Sequence, residues 1–390
     1  MRRRVLLIAV LITALALGVP TAAIYFAAFT QSGLQFIVNR VPARIGGVRL
    51  TFVNVRGTLV DGVRMERLEI DQERVYLRFE DVRARVDLPS LLWQTIHARE
   101  ASAHTVFVLV KPHKEEPPSK DPHFLPHGLV IRADSVHADT ATLVLPNGQR
   151  MDGTQVDTAG FIRRHTIRIL NSAFTMGGIH ITGGTELAAA NPLGISGSVH
   201  VVLRNPGQPV WVFTATAHGN LDTLPLNVDF TAPFRAEFEG AARQLTSHWN
   251  WSGNAKVAGF DLRAWGGGNA LGLMSGELAL AGDAAGFRAR GSVTPPGLGA
   301  GAFDALFEGA YANSVLTAKR IELTHQASGA HLTGAGTIGI VENGPRLDLK
   351  GDWRQFRWPL VGTDIAVRSA AGDYVLSGTW PYDLRGSGVV

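Results

Sequence analysis

The sequence predicts an all-β fold: an N-terminal transmembrane helix followed by a long antiparallel sheet. Three observations predict it. A charge-free apolar run, Val5 to Phe29, follows Met1-Arg2-Arg3-Arg4. Beyond it, apolar and polar residues alternate with period two through most of the chain, the pattern of a sheet with one apolar and one polar face. Glycine supplies 44 of the 390 residues and cysteine none, which gives bends and turns in quantity and no disulfide frame.

The run 5–29 exceeds the roughly 20 residues that span a bilayer and is longer than the apolar core of a secretory signal. Three arginines precede it, which places residues 1–4 in the cytoplasm and the bulk of the chain outside it, in a two-membrane bacterium the periplasm. The expected location is therefore the inner membrane, crossed once. A short helix is expected in Gln31 to Val41. Leu88 to Trp93 reads as one helical turn, with Pro89 near its start.

The strands follow. Val75, Leu77 and Phe79 alternate with Tyr76, Arg78 and Glu80, and Val82, Ala84 and Val86 alternate with Arg83 and Arg85. Val228 and Phe230 alternate with Asn227 and Asp229; Phe234, Ala236 and Phe238 alternate with Arg235, Glu237 and Glu239. Leu347, Leu349, Gly351 and Trp353 do the same near the end. Turn signals at Asn147-Gly148, Asn205-Pro206-Gly207, Asn343-Gly344 and Ala371-Gly372-Asp373 join neighbours as hairpins. Glycines such as Gly177-Gly178, Gly183-Gly184 and Gly266-Gly267-Gly268 are expected to bend strands, so that the sheet curls into a trough. Val75, Leu77, Phe79, Val228, Phe230, Phe234 and Phe238 are expected to line its apolar inside.

One segment departs from the pattern. Residues 111–127 hold five prolines and three histidines. Proline removes ladder donors, so this is an exposed loop between a first sheet unit, 30–110, and its continuation, 128–390.

Composition narrows function. Net charge is +4, without the dense basic face of a nucleic-acid partner. Gly334 to Gly339 fits a dinucleotide fingerprint only in its glycines, because a strand pattern continues through Ile338 and Ile340 instead of a helix. His113, His123 and His127 sit among prolines that break any helical ligand face. No carboxylate pair is placed for acid–base work. No catalytic, cofactor or metal site is expected.

Several stretches carry a family resemblance: Val55-Arg-Gly-Thr-Leu-Val-Asp-Gly62, the alternation to Leu88, Leu91-Leu92-Trp93, Leu125 to Ile131, and Gly351 to Leu360 with Ser369 to Gly378. With the anchor they resemble the N-terminal part of the TamB / AsmA-like family. The resemblance implies a taco-shaped β-groove with an apolar interior. It implies a translocation and assembly module subunit that carries phospholipid, held by its acyl chains, from the inner toward the outer membrane. An outer-membrane TamA-like barrel protein is the implied partner. A scaffold role in outer-membrane protein assembly is the alternative. TamB-type members are far longer and end in a further C-terminal domain, so 128–390 reads as a truncated groove.

Overall fold

The structure is a computed structural model. It describes residues 25–389 except 27, 41, 43, 46–47, 74, 112–121, 147, 149, 205–208, 247, 262, 264–270, 300, 313–314, 342–343, 363–365 and 380–382. The anchor expected over 5–29 lies outside the described residues apart from Tyr25, Phe26, Ala28 and Phe29. Among the described residues no helix is long and apolar enough to cross a membrane.

The chain forms two compact units, Met1–Asn191 and Pro192–Val390. The first begins with helix α1, Gln31–Val38. Thr30 caps it: its hydroxyl accepts from the Gly33 amide at 3.0 Å, satisfying a donor that has no partner within the helix. Ten strands follow: β1 Arg44–Ile45, β2 Val48–Val53, β3 Arg56–Thr58, β4 Gly62–Asp71, β5 Val75–Val86, β6 Thr95–Val110, β7 Val130–Val144, β8 Arg150–Ile162, β9 Thr166–Met176 and β10 Ile179–Ala188. A 3-10 turn at Leu88–Trp93 links β5 to β6, where one helical turn is expected.

Among its described residues the second unit has thirteen strands. They are β11 Gly194–Leu203, β12 Trp211–Asn220, β13 Thr223–Ala232, β14 Arg235–Arg243, β15 Asn250–Asp261, β16 Leu273–Asp283 and β17 Gly286–Thr294. After them come β18 Phe303–Ala312, β19 Val315–His325, β20 His331–Val341, β21 Gly344–Trp358, β22 Val367–Gly378 and β23 Asp383–Val389. Each pairs antiparallel with the next. The fingerprint-like run at 334–339 lies inside strand β20.

The expected antiparallel meander needs one correction. β6 and β7 pair in parallel, with Val106 opposite Ala141 and Val108 opposite Leu143. A parallel pair needs a crossover of a dozen or more residues. The proline- and histidine-rich stretch between Val110 and Val130 is that connection, so it lies inside the first unit.

Two expected punctuation signals also fall differently. Ala371-Gly372-Asp373 is not a turn but the middle of β22, paired on both sides. Gly177-Gly178 is not a bend within a strand but the turn between β9 and β10, with Gly177 left-handed at φ 57. Gly183 does mark a bulge, where the β9–β10 register shifts. Gly266 to Gly268 lie outside the described residues.

In the first unit the apolar alternation slips by one residue at the same level in four neighbouring strands. The slip falls between Met65 and Leu68, between Phe79 and Val82, between Ala103 and Val106, and between Ala138 and Ala141. Pairing is kept across it: Met65 faces Val82 and Leu68 faces Phe79, while Ala103 faces Ala138 and Val106 faces Ala141. In a regular strand a one-residue slip sends the following side chains to the other face. Asp81 sits at the slip in a left-handed conformation, φ 50, the kind of local kink that re-aims side chains. Gln355 in β21, φ 54, shows the result. Trp353 and Phe356, three apart, would point to opposite faces of a regular strand, yet their ring centroids lie 6.5 Å apart.

Closed core is scarce. Of the fourteen buried hydrophobic residues among the described ones, the largest are leucines, and eight are alanines. Ala330 and Leu360, packed with Leu298 and Phe303, form a buried cluster in the second unit. The fully buried His325 adjoins it, with Nδ1 2.7 Å from the Ser328 hydroxyl and its ring 5.0 Å from that of Phe303. Most other large apolar side chains are half-buried.

Candidate functional site

The second unit carries one apolar row across every strand. Directly opposed residues share a face, so register traces the row from strand to strand. Val199 faces Ala215, Ala215 faces Val228, Val228 faces Phe238, and Phe238 faces Ala255. The row continues through Leu278, Gly291, Ala305 and Leu323. It ends through Leu332, Trp353, Gly372 and Gly388. No member carries a charge or a hydroxyl. At about 4.8 Å between strands the row runs for about 58 Å along the sheet.

One residue along, on the opposite face, the row is polar. His200, Thr214, Asp229, Glu237, Lys256 and Glu277 oppose one another in turn. The Lys256–Glu277 pair spans 3.8 Å between exposed side chains, so water screens it and it adds little stability. That face is built for solvent.

The apolar face is not covered in the same way. In β13, Leu224, Leu226, Val228 and Phe230 are half-buried while the residues between them are exposed. Fully burying such a side chain is worth about 1.5–3 kcal/mol. A half-buried one still has part of that to gain from any apolar body laid upon it.

Four expected groove residues lie here. Val228 and Phe238 stand in the row itself. Phe230 and Phe234 enter an aromatic cluster with Trp211, Phe213 and Phe260. Phe213 and Phe230 lie 5.0 Å apart, Trp211 and Phe234 5.5 Å, and Phe234 and Phe260 5.0 Å between ring centroids. The two edge-on pairs, Trp211–Phe234 and Phe234–Phe260, each add about 0.5–1.5 kcal/mol beyond area burial. Phe234 does not belong to β14, as the alternation suggests; it lies in the turn just before Arg235. Trp211, Phe213, Phe260 and Leu278 are not among the expected lining residues, although the Trp-Val-Phe alternation at 211–213 is visible in the sequence.

Several glycines on this face, in the row and beside it, are seats for rings. Phe238 lies over Gly240 and Gly253, where an added Cβ would come within 2.6 Å of the ring. Trp251 lies over Gly282, directly across the β15–β16 ladder. The Trp353 indole covers Gly372 and Gly388, and its Nε1 donates to the Ser369 hydroxyl at 2.9 Å. The glycines let large rings lie down along the sheet, so the face stays apolar and low.

The first unit places Val75, Leu77 and Phe79 in comparable rows. Leu50, Ile70, Leu77, Val108, Leu143 and Met151 oppose one another in turn, as do Phe52, Leu68, Phe79, Val106, Ala141 and Gly153. Val75 faces Val110. The polar face of this unit holds a linked set of imidazoles and carboxylates. His104 Nδ1 lies 2.8 Å from Asp139, and His137 bonds Asp157 at 2.7 Å and Asp139 at 3.1 Å. These bonds raise both histidines above their ordinary pKa, and the two imidazoles lower that of Asp139. A shallow concavity of about 650 Å³ adjoins them, lined also by Arg56, Arg64 and Arg83. Of the three histidines in 111–127, His113 lies outside the described residues, while His123 and His127 precede β7.

Comparisons with family models, with curated proteins and with solved structures give no match.

Proposed function

We propose that this chain is a non-enzymatic lipid conduit, held in the inner membrane by residues 5–29. Its bulk lies in the periplasm and carries phospholipid toward the outer membrane along an apolar groove. The observation that carries the reading is the uninterrupted row from Val199 to Gly388, apolar in all thirteen strands and half-open to whatever lies against it. An acyl chain moving from a bilayer onto such a wall exchanges one apolar surface for another, so each step along it is nearly level in free energy. A charged residue in the row would be a barrier, and the row has none. The resemblance to TamB / AsmA-like proteins points the same way, and from it come the direction of transport and an outer-membrane barrel partner.

The face-specific prediction is direct. A photo-reactive amino acid placed in the full-length chain at Leu278 or Leu323, on the apolar row, is expected to crosslink phospholipid in cells. The same group at Glu277, one residue away on the polar face, is expected to give at most about a tenth of that yield. Equal yields from both faces, or none from either, would remove the conduit reading.

A further inference from the structure

The membrane-proximal part of the chain has a charge and exposure pattern of its own. Residues 1–60 contain no Asp or Glu, and Arg40, Arg44, Arg49 and Arg56 follow the apolar run. All four are exposed. Arg44 and Arg49 stand directly opposite each other in the β1–β2 pair, a like-charge arrangement that costs the sheet stability. Asp71 faces Arg49, but its carboxylate is bonded to Lys111 at 2.5 Å. Asp71 also feels the charges of Arg49 and Arg44, but one carboxylate shared with Lys111 leaves the local balance positive.

The neighbouring apolar groups divide into two sides. Ala28 and Leu34 are 6% and 2% exposed, and the Ala28 carbonyl accepts from the Val60 amide at 3.2 Å. That side packs on protein. The other side is open: Tyr25, Phe26, Phe29 and Phe36 are 61%, 45%, 48% and 52% exposed. Tyr25 and Phe29 stack at 4.9 Å, and the Arg40 guanidinium lies 4.4 Å from the centre of the Phe36 ring. Exposed rings of this kind cost solvation in water and rest favourably at the level of lipid headgroups. Guanidinium groups bind phosphate in bidentate fashion, and a basic patch without acids is drawn to an anionic surface.

We propose that Tyr25, Phe26, Phe29 and Phe36, together with Arg40, Arg44 and Arg49, rest on the surface of an anionic phospholipid bilayer and seat the first sheet unit there. The inference rests on the membrane location proposed above but not on lipid transport. It gives a purpose to the Arg44–Arg49 juxtaposition, which is unfavourable in the protein alone.

The absence of cysteine makes the test clean, because F36C supplies one labelling site in the full-length chain. A fluorophore there is compared with one at L384C, an exposed position in β23, in vesicles of phosphatidylcholine alone or with one-quarter phosphatidylglycerol. Quenching by headgroup-labelled lipid is read, and membrane integration is scored separately by alkaline extraction. In the anionic vesicles the Phe36 position is expected to be quenched at least about threefold more than the Leu384 position. Exchanging Arg40, Arg44 and Arg49 for Glu is expected to halve that quenching, roughly, without changing integration. Equal quenching at the two positions in an integrated chain would overturn the surface contact and leave the anchor standing. Strong quenching at Phe36 without integration would support the contact and remove the anchor. Neither quenching nor integration would overturn both.

Discussion

Asp139 serves two imidazoles, and that makes it the most informative single residue of the polar face. His104 has Asp139 as its main partner, whereas His137 has Asp157 first and Asp139 second. Asp139→Asn is therefore expected to bring the His104 titration back toward its ordinary value and to move that of His137 less, as read by NMR of the ring protons. The opposite order would mean that the network is wired differently. Raised histidine pKa values stabilise the fold below about pH 6.5, and that support is lost as pH rises through the raised folded values. The lowered Asp139 contributes above the ordinary carboxylate range, and its support is lost as pH falls through its own depressed value. The network thus supports the first unit best between about pH 4 and 6.5. Nothing in the sequence shows this set, because His104, His137, Asp139 and Asp157 come from three strands, of which β6 and β7 are joined by a parallel pairing and β7 and β8 by an antiparallel one.

At the scale of the strand, the decisive features are glycines under rings and left-handed residues at phase slips. Gly282→Ala would push a Cβ to within 2.7 Å of the Trp251 indole, and overpacking of this kind costs about 1–3 kcal/mol. Trp251→Ala in the same chain is expected to remove most of that clash, so a urea-denaturation double-mutant cycle should show coupling of about 1 kcal/mol or more. Additive effects would mean that the ring is not seated on the glycine. The period-two pattern made the strands of both units legible, down to separate runs at Val75–Phe79 and Val82–Val86. It could not show that Asp81 joins those runs into one strand, because a left-handed aspartate leaves no mark in composition. Nor could it show the parallel β6–β7 pair, since alternation is the same in either direction. Strand glycines read as bends because a missing side chain looks alike whether it frees the backbone or makes room for Trp353.

At the scale of the molecule, the apolar face was legible where the structure confirms alternation: Val228 and Phe238 fall in the row that crosses all thirteen strands of the second unit. Phe260 was harder to see, because it meets Phe234 through packing between strands and not through spacing within one. The central claim, as proposed, is that this row holds acyl chains, on the ground that no charged or hydroxyl side chain stands in it. A single carboxylate at its middle should therefore act far beyond its own contacts. Leu278→Asp places one there on an already half-open surface, so the fold should bear it. The most direct measurement is native mass spectrometry of the full-length protein in mild detergent, with bound phospholipid counted per chain and far-UV circular dichroism confirming the β-fold. Several phospholipids on the native chain, falling by at least about half with L278D while Glu277→Leu on the opposite face changes nothing, is the predicted result. A folded native chain that carries no phospholipid, or an L278D chain that carries as much as the native one, would contradict the claim.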